Sequence, residues 1–390
     1  MRYVRVRVPN PNRFHHNPSM QQFLLGHSDD AEAGLVERCL AQIGAIPATA
    51  NFGFVYATDA LAGNLEAILL QLKQRTGIAS WTGTVGIGIS ATGREYYEKP
   101  ALAVMLAAFP DDGFKTIPAQ TTKVDGVLAS LDAWLTRDEG HFGVVHADPT
   151  NPKSPQLVAD LGTRVPGAFF VGGLTSSHDK HLQVSDSVAS GGVSGVLFSS
   201  SIPVVTSHTQ GCTPIGRSHR ITRCERNILI ELDGRPALEV FKADVGEVIA
   251  NDLQRASGYI FVGFPIAGSD TGDYLVRNVM GIDLERQLVA VAELLTVDTD
   301  IMFCRRDGNS AREDLLRMLK DLQRRMGPNP KGALYYSCLG RGRHQFGDES
   351  AELKLIQNEL GDLPLVGFFA NGEIFHNRLY AYTGVLTIFC

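Results

Sequence analysis

Three stretches of the chain share one order of apolar and polar positions. Each opens with a short apolar run of strand type and turns through polar residues into helically spaced apolar positions. Each then closes in a second apolar run that ends in glycine. The first spans Phe52 to Ser90: a strand-like run to Tyr56, a turn at Thr58-Asp59, a helix from Asn64 to Arg75, and Trp81-Thr82-Gly83-Thr84-Val85-Gly86-Ile87-Gly88. The second spans Phe142 to Ser176, with Val144-Val145-His146, a Pro-containing turn, a helical run near Leu157 to Leu161, and Phe169-Phe170-Val171-Gly172-Gly173. The third spans Gly332 to Glu373. Its first run is Ala333 to Tyr336, its loop is Ser337 to Arg343, its helix carries Leu353, Ile356 and Leu360, and its second run is Leu363 to Phe369. The intervals Phe54–Gly83, Val144–Gly172 and Leu334–Gly367 are 29, 28 and 33 residues. That order predicts a unit repeated within domains, on a period too irregular for a solenoid.

Other segments fill in the plan. Helices are expected over Asp29 to Ile43, Val124 to Leu135, Ala237 to Ala250 and Ala311 to Arg325, the last with Leu315, Leu316, Leu319 and Leu322 on one face. Strands are expected at Ala101 to Phe109, Gly191 to Phe198, Ile202 to Thr206, Tyr259 to Ile266, Ile282 to Ala292 and Gly384 to Phe389. Ile221 to Leu232 reads as two strands about Arg226-Asn227. The pattern predicts an α/β (mixed α+β) protein of two related modules, each a mixed or largely antiparallel sheet with helices packed outside. The expected division is an N-terminal arm (1–27), which includes an Asn/Pro/His-rich loop, a first domain (28–220) and a second (221–390).

Composition narrows the function. The net charge of −6 argues against nucleic-acid binding by bulk electrostatics. No apolar run reaches the length of a membrane span, and Met1 to Pro9 alternates basic and apolar residues unlike a signal peptide. The six cysteines are scattered without a C-x-x-C pair, so neither a disulfide framework nor a metal site is expected. These features predict a cytoplasmic protein.

Two loops of the third stretch carry chemistry. Cys338 follows a strand and precedes Gly340, Arg341, Gly342 and Arg343. Glycine lets a backbone approach a ligand, a guanidinium fork matches a carboxylate, and neighbouring cations favour a thiolate. Asn371-Gly372-Glu373 ends the second strand, where Glu373 is placed to meet a ligand amine. The competing structural reading makes Cys338 a buried small hydrophobe and Arg341 or Arg343 the partner of Glu373 or Asp348, pinning the two loops together, the reading favoured for Arg343. Gly83 to Gly88 lies inside an apolar strand and reads as core packing; no P-loop sequence occurs. A thiol enzyme would use Cys338 with His344 or His376 as base, but no third, orienting group is recognisable.

Four segments together resemble the FIST family, which pairs a FIST N-terminal with a FIST C-terminal domain. They are Gly172-Gly173; Gln210-Gly211 with Pro214-Ile215-Gly216; Glu231 to Leu238; and Ser337 to Gly342 combined with Gly367 to Glu373. The resemblance covers roughly residues 30–390 and leaves no room for an attached kinase or cyclase. It implies an intracellular sensory module of signal transduction that binds a small ligand of the amino-acid or organic-acid class. Such a module acts through a separate partner such as a histidine kinase or cyclase. The expected ligand site is Cys338, Gly340, Arg341, Gly342, Asn371, Gly372 and Glu373, completed by Gly172 and Gly173, with no cofactor and no catalysis. The resemblance also carries an alternative, a non-covalent haem that senses nitric oxide. Its ligand would be His208, or else His178 or His181.

Overall fold

The computed structural model describes residues 23–30, 34–246, 258–266 and 274–390. Most of the expected arm, residues 1–22, and the end of the expected Ala237–Ala250 helix lie outside the described residues. The chain groups into two compact units: Gln210–Asp314 with Tyr380–Tyr382, and the residues up to Thr209 with Leu315–Leu379 and Thr383–Cys390. This grouping differs from a division at residue 220, because strand Cys212–Glu225 runs straight through that point.

The larger unit is one plan built three times. Each copy reads strand, helix, strand, helix, strand, hairpin, strand. Its central βαβ pairs two parallel strands around a helix: Phe52–Thr58 with Ser80–Gly86 around Leu65–Thr76; His141–Ala147 with Phe169–Leu174 around Ser154–Arg164; and Gly332–Cys338 with Leu365–Ala370 around Ala351–Leu360. On the outer side, each first strand pairs antiparallel with the copy's last strand: Leu102–Ala107, Val193–Ser199 and Thr383–Phe389. A further edge strand completes each: Leu24–Ser28, Phe114–Gln120 and Val204–Gln210. The edge strands begin at 24, 114 and 204, so the copies follow one another every 90 residues. The edge strand Leu24–Ser28 takes up the end of the expected arm, and the helix after it begins at Leu35 rather than Asp29.

Each copy also lends a hairpin to the one before it, the first lending to the third. The hairpin beginning at Gly88 adds to the third copy's sheet, that beginning at Glu373 to the second, and that beginning at Gln183 to the first. Every sheet therefore has six strands from two copies, and the exchange closes a cycle.

The three βαβ units are in register at glycine. Val55 pairs with Gly83, Val145 with Gly172 and Tyr335 with Gly367. A Cβ on these glycines would fall 1.7, 1.8 and 1.7 Å from the carbonyl oxygen of the partner residue, so backbones meet there without room for a side chain. These are the glycines that set the intervals in the sequence.

Strand alternation sorts the side chains. One face packs on helices: Val55 and Ala57 in one cluster, Val145 and Ala147 in another. The other face meets in a shared core of Phe52, Phe54, Tyr56, Phe142, Val144, Leu334 and Tyr336. Where the third copy has Gly332 instead of phenylalanine, a Cβ would strike the ring of Phe23 at 2.3 Å, so Phe23 occupies that space.

The smaller unit is an insertion in the third copy, between its edge strand and the helix Gly308–Arg325. Strands Cys212–Glu225, Asp300–Arg306, Ile260–Pro265, Tyr274–Asp283, Leu288–Val291 and Ile228–Leu232 pair in that order, all antiparallel, and the last returns to the first. The sheet thus closes into a six-stranded barrel, which leaves no open edge between these strands. Helix Ala237–Val245 packs Leu238 and Phe241 onto its core. The mixed α/β class expected from the sequence holds, but in place of two related modules there are three copies of one module and a barrel of different build.

Candidate functional site

In an α/β sheet, loops at the carboxyl ends of parallel strands are where ligands bind. In the third copy those ends are Cys338 and Ala370, and the two loops singled out in the sequence follow them directly. Leu339 N donates to Ala370 O, which pins the first loop to the second loop's strand, and Asn371 N donates to Leu174 O, which pins the second loop to the second copy's strand Phe169–Leu174.

Arg341 is wholly buried. Its partner is Glu352, in the first turn of the following helix: Nε donates to Oε1 at 2.8 Å, and Nη2 lies 2.7 Å from the same oxygen. Tyr335 Oη donates to Oε1 at 2.7 Å, while Ser337 Oγ and Gly342 N donate to Oε2 at 3.1 and 2.9 Å. Four donors, one of them the guanidinium, make this buried carboxylate tolerable. The guanidinium also lies 5.0 Å from the Phe346 ring centroid. Yet Nη1 has no hydrogen-bond partner, and Nη2, though close to Glu352, is misaligned for one.

Glu373 is equally buried. Oε2 accepts from Thr383 N at 3.1 Å and Thr383 Oγ1 at 2.8 Å. Oε1 receives no N–H or O–H donor. Burial pushes its carboxyl up to about 8, against the opposing pull of Thr383, the Arg341 charge and the Cys338 thiol. Cys338 itself is buried beside this carboxylate. Glu95 borders the cluster: burial, with the nearby Glu352 charge, raises it to about 7.

The remaining sequence candidates fall into place around this pair. Gly342 has φ +51, and a Cβ there would meet Tyr97 Oη at 2.1 Å and the Phe369 ring at 2.6 Å. Gly340 is half-buried, Asn371 exposed and Gly372 buried at φ +138. Gly173 pairs with Glu373, and Gly172 with Ile374. A Cβ on Gly173 would meet Ala370 at 2.6 Å, so both glycines serve the close packing of strands beside Glu373. The expectation that Arg341 pairs with Glu373 or Asp348 is corrected: the partner is Glu352. Arg343, expected to pair with the same two carboxylates, instead binds Glu98 and lies 4.6 Å over the Tyr97 ring.

Glu352, Thr383, Tyr335 and Ser337 were missed from sequence. Glu352 did leave a signal. It stands four residues before Ile356 and eight before Leu360, on the apolar stripe of its helix, where a carboxylate needs a buried partner.

His208 is buried in the strand Val204–Gln210, with its ring 4.5 Å from that of Phe375. His178 is exposed and holds Asp59 through Nδ1 at 2.7 Å; His181 is half-buried. His344 and His376 are both exposed, and His376 packs against Phe169 at 5.3 Å.

The chain matches known families over most of its length. The FIST N domain matches residues 51–235 and the FIST C domain residues 237–376. The chain belongs to the FIST family. FIST domains are sensory domains of signal transduction. The boundary between the two family domains falls within the inserted barrel, so it divides sequence modules rather than compact units. An uncharacterized protein of Mycobacterium tuberculosis is 31% identical over 369 residues, 86% of this chain and 94% of that protein. A second, from Mycobacterium bovis, is 29% identical over 351 residues, 85% and 87% of the two chains. Among solved structures, PurLQS from Thermotoga maritima aligns at TM-score 0.22 and 12% identity, over 94% of this chain and 72% of that chain. That likeness carries no argument. Among the described residues, no helix of this FIST protein is long and apolar enough to cross a membrane.

Proposed function

We propose that this FIST protein is a sensor that binds a small metabolite of the amino-acid or organic-acid class at Arg341 and Glu373, without chemistry on it, and signals through a separate partner such as a histidine kinase or cyclase. One observation carries the reading. Arg341 Nη1 and Glu373 Oε1 are buried polar atoms without hydrogen-bond partners, on adjoining strand-end loops. Leaving such groups unmade costs roughly 1–3 kcal/mol each, more when charged. A ligand that offers an acceptor to Nη1 and an amine or hydroxyl to Oε1 removes both costs at once. Because Glu352 already neutralises Arg341, the match is directional rather than a bare charge attraction. Both residues are fully buried, so entry requires the 339–343 and 371–372 loops to open, and the ligand selects the closed arrangement.

The test is thermal unfolding against a panel of free amino and organic acids, on the wild type and on Arg341→Lys and Glu373→Gln. Lysine keeps a charge for Glu352 but lacks the open Nη1. The reading expects one class of acids to stabilise the wild type by about 2.7 kcal/mol at a hundred times Kd. It expects that response to vanish in both variants. Stabilisation that persists in both, or a panel with no stabiliser, overturns the assignment.

A further inference from the structure

The loop that carries Arg341 is held from outside its own copy. The first copy lends the hairpin 88–97 to the third sheet, and the hairpin's second strand, Arg94–Tyr97, lies against the loop and the helix that follows it. A Cβ on Gly342 would come within 2.1 Å of Tyr97 Oη and 3.0 Å of Glu95 Oε2, so the hairpin rests directly on the loop backbone. The Tyr97 ring centroid lies 4.9 Å from that of Phe369 and 4.6 Å from Arg343 Cζ. Glu95 joins the parts. Its N donates to Ser350 Oγ at 2.8 Å, its Oε1 accepts from Leu353 N at 3.4 Å, and its Oε2 accepts from Tyr97 Oη at 3.0 Å. Ser350 is the N-cap residue of helix Ala351–Leu360 but makes no cap bond to that helix, so a carboxyl from another copy reaches the first turn instead. The same helix carries Glu352, which holds Arg341 and the Gly342 amide.

The scaffold does not need an acid at this position. In the second copy's hairpin Val188 stands where Glu95 stands: each lies opposite the residue that pairs with an aligned glycine, Val184 with Gly83 and Ser90 with Gly367. Val188 packs with the apolar cluster of the first copy's helix. A charge on half-buried Glu95 instead faces the buried charge of Glu352. Burial and that charge raise Glu95 to about 7, against the Tyr97 hydroxyl and the Leu353 and Glu352 amides. The other charged or titratable groups around the contact are Tyr97 and Glu98 on the hairpin, Arg341 and Arg343 on the loop, and Glu349 at the helix start. Arg341 and Arg343 are taken up by Glu352 and Glu98, and Glu349 by Lys354. Once the loop lifts, Glu95 meets water and its carboxyl returns toward 4.5. Between those values the closed contact holds a proton that the open one releases. Closure therefore weakens as pH rises through the window, by at most about ten-fold per unit.

We infer that Glu95 latches the 339–343 loop over Arg341, and that gain or loss of its proton sets how often the loop opens. As control of ligand entry the latch rests on the sensory site proposed above. Glu95 and Tyr97 are positioning residues in it.

The test needs no ligand, so a failed latch and a failed ligand panel are told apart. Amide hydrogen exchange is followed on the full chain from pH 5 to pH 8.5 for the wild type and Glu95→Gln, and read as protection against the intrinsic rate at each pH. Glutamine keeps an acceptor for Leu353 N and, like the protonated acid, a donor for Tyr97 Oη, but it carries no charge. Protection of segment 339–353 in Glu95→Gln relative to the wild type is expected to grow at least ten-fold between pH 5 and pH 7.5 and to level off by about pH 8. Glu373 titrates in both chains and cancels in the ratio. The same ratio for helix Leu65–Thr76 is expected to stay within two-fold throughout. Should the glutamine chain fail to fold, Glu95→Val takes the second copy's residue, cannot ionise and is expected to show the same growth. A ratio that stays flat across the window, or that grows as much in Leu65–Thr76, overturns the latch.

Discussion

Replacing Glu373 with glutamine should change how stability depends on pH. Glutamine keeps the acceptor for Thr383 but cannot ionise. In the folded chain burial raises the Glu373 carboxyl from 4.5 to about 8, so between those values the folded state holds a proton that the unfolded state has released. Stability then falls as pH rises through this window, by at most 1.36 kcal/mol per unit. Below about 4.5 both states are protonated and the penalty is absent; above about 8 it is complete. The full gap is worth roughly 5 kcal/mol, a ceiling that water entry and relaxation reduce. The assay is urea unfolding at half-unit steps from pH 5 to pH 9, read by tryptophan fluorescence. Both tryptophans, Trp81 and Trp134, lie in the three-copy unit, so the signal is blind to the barrel. Wild type minus Glu373→Gln should be near zero at pH 5 and reach several kcal/mol in favour of glutamine by pH 9. Glu95, raised to about 7, contributes to both curves and cancels in the difference. Parallel curves across the window would refute the account of Glu373 as a desolvated acid.

Arg341→Met should destabilise by about 3–5 kcal/mol by stranding the Glu352 carboxylate, and the double variant with Glu352→Met should recover much of that loss, as a double-mutant cycle by urea unfolding would measure. Gly172→Ala and Gly367→Ala each drive a Cβ to within 1.8 Å of a neighbouring carbonyl, and each should cost about 3 kcal/mol or more by the same assay. His146, fully buried, is held down to about 3 by desolvation, so its ring nitrogens should keep neutral NMR shifts to pH 4. That group contributes stability present above pH 6.5 and lost as pH falls toward 3, the reverse of Glu373.

The repeating strand–helix–strand order was readable because its marks are local. Each copy needs an apolar run, a helical stripe and a glycine where the second strand crosses the first, and all three occur within 40 residues. The exchanged hairpins were not readable. Arg94–Tyr97, Gln183–Ser185 and Glu373–His376 are short, and what makes them strands is a partner from another copy, far away in sequence. Edge strands such as Phe114–Gln120 escaped for a related reason: only Ile117 of its residues is fully buried, so its pattern is weak. At the candidate site, the sequence shows which residues carry charge but not which group each one meets. Arg341 advertises a charge, but its counter-charge sits eleven residues on, in a helix. That Glu352 rather than Glu373 satisfies it depends on the helix bringing Glu352 against Tyr335 and Ser337, a contact that no local pattern records.

The three copies explain why the site stands where it does. Read along the first strand of each copy, the inward positions are Phe52 and Phe142; then Phe54, Val144 and Leu334; then Tyr56, His146 and Tyr336; then Thr58, Asp148 and Cys338. Polarity rises toward the carboxyl ends in all three, and the third layer is already hydrogen-bonded: Tyr56 Oη lies 2.9 Å from Tyr336 Oη and 3.2 Å from His146 Nε2. At the next layer the copies part. Asp148 is satisfied by Thr150 and the Gly191 amide, and Thr58 by the Lys99 carbonyl, so those ends are closed by their own loops. Gln183, which stands in the second copy's hairpin where Glu373 stands in the third, bonds Ser194 and the Gly192 carbonyl through both ends of its amide. Glu373 replaces that amide with an acid that uses one oxygen and leaves the other bare, next to an arginine with a spare N–H. The same scaffold position is structural in one copy and unsatisfied in another. It is the unsatisfied copy that carries the insertion.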